Sequence, residues 1–514
     1  MNERDGHALE GVVNTLCAGE LRLPAAHVYA DSVVQLERSA LWIEGTPAAG
    51  KGIALLAAKH DPLIERFEGE VEVCDERWVV KRGKLDDPNA RALRRTLDWL
   101  QPKPLGLATS AGFGDRLGLA TPGHARALRA VLDEAPGREI APIFAQQSIR
   151  EMTRAGRSPE DVLTDATFGA FQAGWRGGLG ADADHLKQPE DIDCCVAAGF
   201  TFFTIDPGDH VDSAADTDAP SAIQAKLERL PWDALECAPD DLVNRYAGQT
   251  EDLGDRRIEL DAESIRRAAV KYGRAIAHVV RMARHLESRD VTHELEISVD
   301  ETETPTSLAE HITIARELKR LGVRWMSLAP RFVGRFEKGI DYIGDLGGLE
   351  RDLSGHAAIA RALGPYKLSL HSGSDKFSVY PLIREATGGV VHLKTAGTSY
   401  LEALRVIARL DVDLLRRIGD FARARYERDR ASYHVSAQLE RVPPMTSLSD
   451  ADLPELLEDI HARQVLHVTF GSCLDAFGEE IKAALRNNES AYEETLERHF
   501  KRHLEPFVRT ISRA

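Results

Sequence analysis

The sequence has 514 residues, of which 43% are hydrophobic and 29% charged. This balance is typical of a globular protein with a large core and excludes a predominantly disordered chain. Its 82 Asp and Glu residues outnumber its 65 Lys and Arg residues, which gives a net charge of −17. Because such a charge repels phosphate backbones, nucleic acid is not an expected partner.

The cysteines and the apolar segments indicate the compartment. The six cysteines include no C-x-x-C pair, a pattern that predicts neither a zinc ribbon nor a disulfide scaffold. No apolar run approaches the roughly 20 residues that a membrane span requires, and the N-terminal residues lack the basic segment of a signal peptide. We therefore expect a cytoplasmic protein without a membrane partner.

Residues 1–103 are predicted to form an α+β cap region. The alternation of apolar and polar residues predicts a strand at 41–44 and a hairpin made of 71–73 and 78–81. Apolar residues at helical spacing follow at 88–100. None of these segments carries a compact catalytic motif, so we place the chemistry further along the chain.

From residue 104 onward, predicted strands and helices alternate. Alternation of this kind predicts a parallel sheet, and eight strand–helix units favour closure into a (β/α)8 TIM-type barrel over residues 104–476. An open doubly wound sheet is the alternative, although its ligand residues would gather at one switch point. The predicted strands are 105–109, 140–145, 200–205, 295–299, 323–328, 367–371, 391–394 and 465–470. We expect helical insertions near 214–255 and 411–459, and closing helices over 477–514.

One predicted strand carries an acidic face. Glu294, Glu296, Ser298 and Asp300 alternate with apolar residues, so they share one side of a buried strand. Burying several carboxylates without a cation is costly, and a divalent metal or a bound substrate would offset that cost. Asp300 or Glu296 is therefore a candidate oxygen ligand.

Histidines near the ends of other predicted strands supply the nitrogen donors of the predicted metal site. His210, His371 and His392 are the candidates, although a single histidine in such a place is more often a hydrogen-bonded structural group. Together with Asp300 they make a mixed imidazole and carboxylate ligand set. Such a set favours Zn, Mn, Co, Ni or Fe over Ca or Mg.

Two carboxylates that follow predicted strands are candidates for acid/base catalysis. Asp206 and Glu301 are each flanked by turn residues, and two carboxyl groups in one site can be tuned to different protonation states. The alternative is that either one caps a helix or lies on the surface.

A further set of residues is expected to bind the substrate. Lys394, Lys376 and Arg331 offer positive charge to an anionic group, with structural ion pairs as the alternative for the lysines. Asp375 follows the predicted strand 367–371, and Gln147 follows the predicted strand 140–145. We therefore predict a substrate that carries a carboxylate.

Five longer motifs occur in order between about residues 105 and 475: GDRLGLATPGH at 114–124, SVDETETPT at 298–306, SLAPRFVG at 327–334, HSGSDKFS at 371–378 and VHLKTAGTSYLEAL at 391–404. Together they resemble the tagaturonate/fructuronate epimerase family of hexuronate breakdown. The resemblance implies a metal-dependent isomerase that interconverts D-tagaturonate and D-fructuronate.

The two sugars differ at the fourth carbon counted from the end nearer the ketone. That carbon lies one position beyond the acidic α carbon, so simple deprotonation would not invert it. Retro-aldol cleavage followed by aldol addition would invert this carbon, with Asp206 or Glu301 as the base and the metal as a Lewis acid. The alternatives are an epimerase of neutral ketohexoses such as fructose and tagatose, a metal-dependent class II type aldolase, and a non-catalytic sugar-binding protein. The sequence leaves the metal and the oligomeric state open, including a homo-oligomer.

Overall fold

The computed structural model describes residues 11–14, 27–46, 50–254, 256–395 and 397–509. An N-terminal sheet contains five antiparallel strands in the order β1-β2-β3-β5-β4. These strands are β1 (Val34–Gln35), β2 (Ser39–Thr46), β3 (Gly50–Ala58), β4 (Glu70–Val73) and β5 (Trp78–Lys84).

The two faces of the N-terminal sheet pack against different groups. Leu41 and Ile43 of β2 belong to the hydrophobic core that extends through the barrel. Ala40 and Trp42 point the other way, into a small separate cluster. This separation follows from the two-residue period of a strand, and it attaches the sheet to the rest of the protein through one face.

Eight parallel strands form a closed barrel, which confirms the predicted fold. They run β6 (Ser110–Gly112), β7 (Ala141–Ser148), β8 (Gly180–Leu186), β9 (Phe202–Ile205), β12 (Glu294–Ser298), β13 (Ser327–Ala329), β14 (Lys367–Leu370) and β15 (Val391–Lys394). A hairpin of β10 (Gln249–Asp252) and β11 (Arg257–Leu260) lies between β9 and β12 in the chain. Because β15 pairs with β6, the sheet closes on itself without a free edge.

Helices surround the barrel and occupy both regions that were expected to be insertions. The longest, Ala262–Glu287, begins where the side chain of Asp261 accepts hydrogen bonds from two backbone N–H groups, which is an N-cap arrangement. None of the described helices is long and apolar enough to cross a membrane. The α-helices are Asp87–Thr96, Thr121–Glu134, Ile149–Arg154, Pro159–Gln172, Pro189–Ala198, Pro220–Leu227, Trp232–Leu235, Pro239–Tyr246, Ala262–Glu287, Leu308–Arg320, Leu346–Leu363, Tyr380–Thr387, Thr398–Leu410, Val412–Asp429, Ile460–Val468, Phe470–Arg486 and Glu489–Val508.

The strand prediction differs from the structure in three places. The segment 465–470 is not the eighth strand, because helix Ile460–Val468 covers most of it. The first barrel strand is Ser110–Gly112 and not 105–109. Between β7 and β9 the prediction missed β8. The barrel therefore has eight strands, as predicted, but β8 takes the place that was given to 465–470.

Candidate active site

A cavity of about 410 Å³ opens at the carboxyl ends of β12, β13 and β14. Loops at these ends of the strands are where the active sites of TIM barrels lie. Its walls come from the loops that follow the three strands and from Tyr433 and His434, which follow helix Val412–Asp429. The charged and imidazole groups of the three loops that line it include Asp300, Glu301, Glu303, Arg331, Arg335, Glu337, Lys338 and His371.

His371 of the cavity wall meets a second histidine, His185. Nε2 of His185, on β8, lies 3.3 Å from Nδ1 of His371, which directly follows β14. Asp300 Oδ1 lies 3.2 Å from that Nδ1 of His371, and Asp184 Oδ1 lies 3.8 Å from Nε2 of His185. The ligand atoms of Asp184, His185 and His371 fall within 4.8 Å of one another. Two imidazoles and two carboxylates therefore converge on one small volume.

The other ring nitrogen of each histidine is held by a second carboxylate. Nδ1 of His185 lies 3.2 Å from Asp206, and Nε2 of His371 lies 2.6 Å from Glu296. Burial and Lys394 oppose protonation of His371, but Asp300 and Glu296 outweigh them and raise its pKa to about 9. Burial likewise opposes protonation of His185, and its carboxylate neighbours raise its pKa to about 10.

Lys394 is the main counter-charge of the buried carboxylates. Its Nζ lies 2.6 Å from Asp184, 2.8 Å from Glu296 and 2.9 Å from Asp182, and only 3% of its side chain is exposed. It also donates a hydrogen bond of 2.7 Å to Thr204. The acidic face of β12 is thus paired in part by an internal ammonium group, a partner that the sequence analysis did not assign to it.

The two acid/base candidates come together around His185. Ligand atoms of His185, Asp206 and Glu301 lie within 4.8 Å of one another. Asp206 is buried and accepts a hydrogen bond of 2.8 Å from the N–H of Gly208. Glu301 lines the cavity and pairs with Arg150 at 3.0 Å. Burial would raise the pKa of Glu301, but the positive charges of His185, Lys338 and Arg150 lower it.

Comparison with known proteins places this site in a family. A model of the tagaturonate epimerase family matches residues 29–507. The chain belongs to this family. The tagaturonate/fructuronate epimerase of Thermotoga maritima is 46% identical over 420 residues, which are 81% of this chain and 84% of that protein. The present chain is therefore an epimerase, as predicted from the motifs.

Solved structures agree with the assignment. The glycerol complex of the fructuronate-tagaturonate epimerase of Cohnella laeviribosi has a TM-score of 0.87 at 36% identity, over 97% of this chain and 99% of that one. The native crystal structure of the same protein has a TM-score of 0.86, also at 36% identity, over 98% of this chain and 99% of that one. The likeness thus covers the N-terminal sheet of this epimerase as well as its barrel.

Two of the predicted metal ligands of this epimerase lie away from the His185 and His371 pair. His392 is buried inside the barrel, where its Nδ1 lies 2.9 Å from the hydroxyl of Ser110. His210 stacks against His278 on a surrounding helix, with ring centroids 4.3 Å apart. Of the four predicted ligands, His371 and Asp300 are the two that the structure brings together.

Three of the predicted substrate contacts have protein partners elsewhere in the epimerase. Lys376 is fully buried and donates to the carbonyl oxygens of Glu337, Ile340 and Ser374. This burial lowers its pKa to about 7. Asp375 lies 2.8 Å from Nε2 of His499 and 2.9 Å from Arg463. Gln147 accepts a hydrogen bond of 3.4 Å from Arg157.

Arg331 is the predicted contact whose charge remains available to a ligand. Its half-buried side chain lines the cavity, and its buried Nε has no hydrogen-bond partner among the described residues. Lys338 lines the same cavity and, within the part of the chain that the structure describes, forms no ion pair. An unpaired buried donor such as Nε of Arg331 is costly to leave unmet, and the charges of both residues suit an anionic ligand.

Three of the site residues that the sequence analysis missed belong to β8. Asp182, Asp184 and His185 come from the segment GADADHL, whose alanines give little hydrophobic signal. The alternation of Ala and Asp was the available clue, together with the long gap between the predicted second and third strands. His185 adopts a left-handed backbone with φ of 51°, a conformation that is rare outside glycine and is found at functional sites.

Proposed function

We propose that this epimerase interconverts D-tagaturonate and D-fructuronate by inverting the fourth carbon of the sugar. The observation that carries the proposal is the presence, in one cavity, of acid/base groups and of two cations that form no ion pair with the described residues. Arg331 and Lys338 suit the substrate carboxylate, while Glu301 offers a proton-accepting group. The names of the relatives from Thermotoga maritima and Cohnella laeviribosi support the same substrates.

Glu301 is the residue that we assign as the base in contact with the sugar, because it lines the cavity while Asp206 lies behind His185. Glu301 takes the proton from the hydroxyl of the fourth carbon, and that carbon becomes an aldehyde as its bond to the third carbon breaks. The bonding electrons pass to the third carbon and the adjacent ketone, which gives an enediolate. The aldehyde rotates, the bond re-forms on its other face, and Glu301 returns the proton.

Asp206 has a positioning role in this scheme. Its carboxylate is held by the N–H of Gly208 and lies 3.2 Å from Nδ1 of His185. A buried carboxylate in this place fixes the tautomer and the ring orientation of the imidazole. The Nε2 of His185 is thereby kept facing His371.

His185, His371, Asp184 and Asp300 fit a divalent cation. Donor atoms around a tetrahedral ion of this kind lie roughly 3.4 Å apart, and those of the four residues lie 3.2–3.8 Å from their neighbours. Both imidazoles have the outer carboxylate partner that metal-bound histidines have. When bound, such an ion supplies Lewis-acid stabilisation of negative charge on the sugar oxygens.

An assay in ²H₂O tests both the substrates and the route. Purified enzyme that is loaded with a divalent metal and given D-tagaturonate should produce D-fructuronate. The conversion is monitored by NMR. Because retro-aldol cleavage breaks no C–H bond at the fourth carbon, the product should carry no deuterium there. Deuterium at that carbon would refute the route, and the absence of any fructuronate would refute the proposed function.

A further inference from the structure

Tyr433 and His434, the first two residues of the segment 433–437, line the cavity. Tyr433 lines the cavity, yet its buried hydroxyl has no hydrogen-bond partner within the described residues. A buried hydroxyl without a partner costs free energy of folding. A partner that arrives with the substrate would account for its presence in the wall.

The ring of Tyr433 is fixed by two arginines from the helix that follows β7. The guanidinium carbons of Arg150 and Arg154 lie 5.2 Å and 4.9 Å from the ring centroid, within the range of cation–π contacts. Arg150 also pairs with Glu301 at 3.0 Å. The tyrosine is therefore connected through one side chain to the carboxylate that we assign as the base.

The backbone on the other side of Tyr433 is held by Glu337. One oxygen of this buried carboxylate accepts hydrogen bonds from the N–H of Ser436 at 2.9 Å and from its hydroxyl at 2.7 Å. The same oxygen accepts a bond of 2.8 Å from Gln464. Further along, the hydroxyl of Tyr426 donates to the carbonyl of Ala437 at 3.0 Å. Hydrogen bonds therefore anchor the segment at Ser436 and at Ala437.

We propose that Tyr433 is a further catalytic residue of this epimerase, whose hydroxyl donates a hydrogen bond to an oxygen of the bound sugar. Glu337 is the positioning residue that holds the segment, and with it Tyr433, at the cavity. This inference rests on the proposed function for the identity of the sugar. It does not depend on which group supplies the proton transfer.

The variant Tyr433→Phe removes the hydroxyl alone. Because that hydroxyl has no hydrogen-bond partner among the described residues, the Tm should stay at the wild-type value or rise, whereas kcat/KM for tagaturonate should fall about 10- to 100-fold. Tyr400→Phe is the matched control, since the buried hydroxyl of Tyr400 likewise has no hydrogen-bond partner in the described part of the chain, and Tyr400 lies in the core outside the cavity. Its kcat/KM should not change.

The role of Glu337 is tested with a pair of variants. Glu337→Ala should lower kcat/KM to about the level of Tyr433→Phe. The double variant should lose no more activity, because both substitutions remove the same hydrogen bond between the Tyr433 hydroxyl and the sugar. Glu337→Gln keeps an oxygen that can accept from Ser436 and should retain activity within about threefold of wild type. A purely structural role would instead lower the Tm and add to the loss caused by Tyr433→Phe.

Substrate-induced stabilisation separates this inference from the proposed function. Tagaturonate should raise the Tm of the wild type more than that of Tyr433→Phe. Wild-type kcat/KM in Tyr433→Phe, or an equal loss in Tyr400→Phe, would overturn the role of Tyr433 while leaving the proposed function intact. A wild-type protein that neither converts tagaturonate nor is stabilised by it would overturn both.

Discussion

Replacing Arg331 by methionine should lower kcat/KM for acidic sugars but not for neutral sugars. Methionine fills much of the same space as the aliphatic part of arginine but cannot pair with a carboxylate. The guanidinium of Arg331 has no protein partner among the described residues, so the change breaks no internal ion pair. The expected effect is therefore on substrate binding, with little effect on folding.

The magnitude follows from a single charged hydrogen-bond contact. Such a contact contributes about 1.5–3 kcal/mol, which corresponds to roughly a 10- to 150-fold loss of kcat/KM. The loss should fall at the lower end, because Lys338 lines the same cavity and still offers one positive charge to the carboxylate. Neutral ketoses such as tagatose have no carboxylate, so kcat/KM for them should be unchanged or slightly higher.

The assay compares kcat/KM for tagaturonate and tagatose in the wild type and in Arg331→Met. Arg351→Met is the control, because Arg351 is 77% exposed and lies outside the cavity. A fall on tagaturonate alone supports a carboxylate contact. Equal losses on the two sugars would show that Arg331 acts through the structure of the site, and the reasoning from its unpaired charge would be refuted.

Three other predictions concern charge and metal. Lys394→Met leaves buried carboxylates without their cation, so it should destabilise the fold by about 3–5 kcal/mol in urea unfolding. It should also lower kcat/KM for tagaturonate and for tagatose, and a loss of kcat/KM on tagaturonate alone would contradict this prediction. Chelation should abolish turnover, and elemental analysis should find the metal lost in His371→Ala but retained in the inactive Glu301→Gln; full activity of verified metal-free enzyme would exclude the metal site. Burial lowers the pKa of His124 to about 4, so as the pH falls below 6.5 the unfolded chain takes up a proton at this residue before the folded protein does. The free energy of unfolding should therefore fall from pH 6.5 to pH 4 by up to about 1.4 kcal/mol per pH unit. His124→Gln should make this fall less steep, and an unchanged slope would refute the assignment.

The outcome for individual elements reflects how local their signals are. Alternating strands and helices predicted a barrel, because the periods of 2 and 3.6 residues are properties of short segments. The polar face of β12 and the turn residues after β9 and β12 likewise placed Asp206, Asp300 and Glu301 at strand ends. The two carboxylates proposed as acid and base do lie close to each other.

Two segments were misassigned because their composition opposed their environment. Residues 465–470 are rich in β-branched and aromatic side chains, yet they lie within or beside helix Ile460–Val468, which packs against helices Val412–Asp429 and Thr398–Leu410. The alanine-rich β8 has weak strand propensity and is held by parallel pairing with β7 and β9. Tertiary pairing and burial override propensity in such cases.

The sequence by itself determined which residue types follow the strands, and the resemblance of its five motifs indicated a sugar-acid epimerase. Only the tertiary structure decided which of those groups meet. Lys394 and Lys376 look alike in the sequence, but one lies among three carboxylates and the other among backbone carbonyls. The difference arises because the partners of each lysine come from distant parts of the chain, and local periodicity contains no information about such contacts.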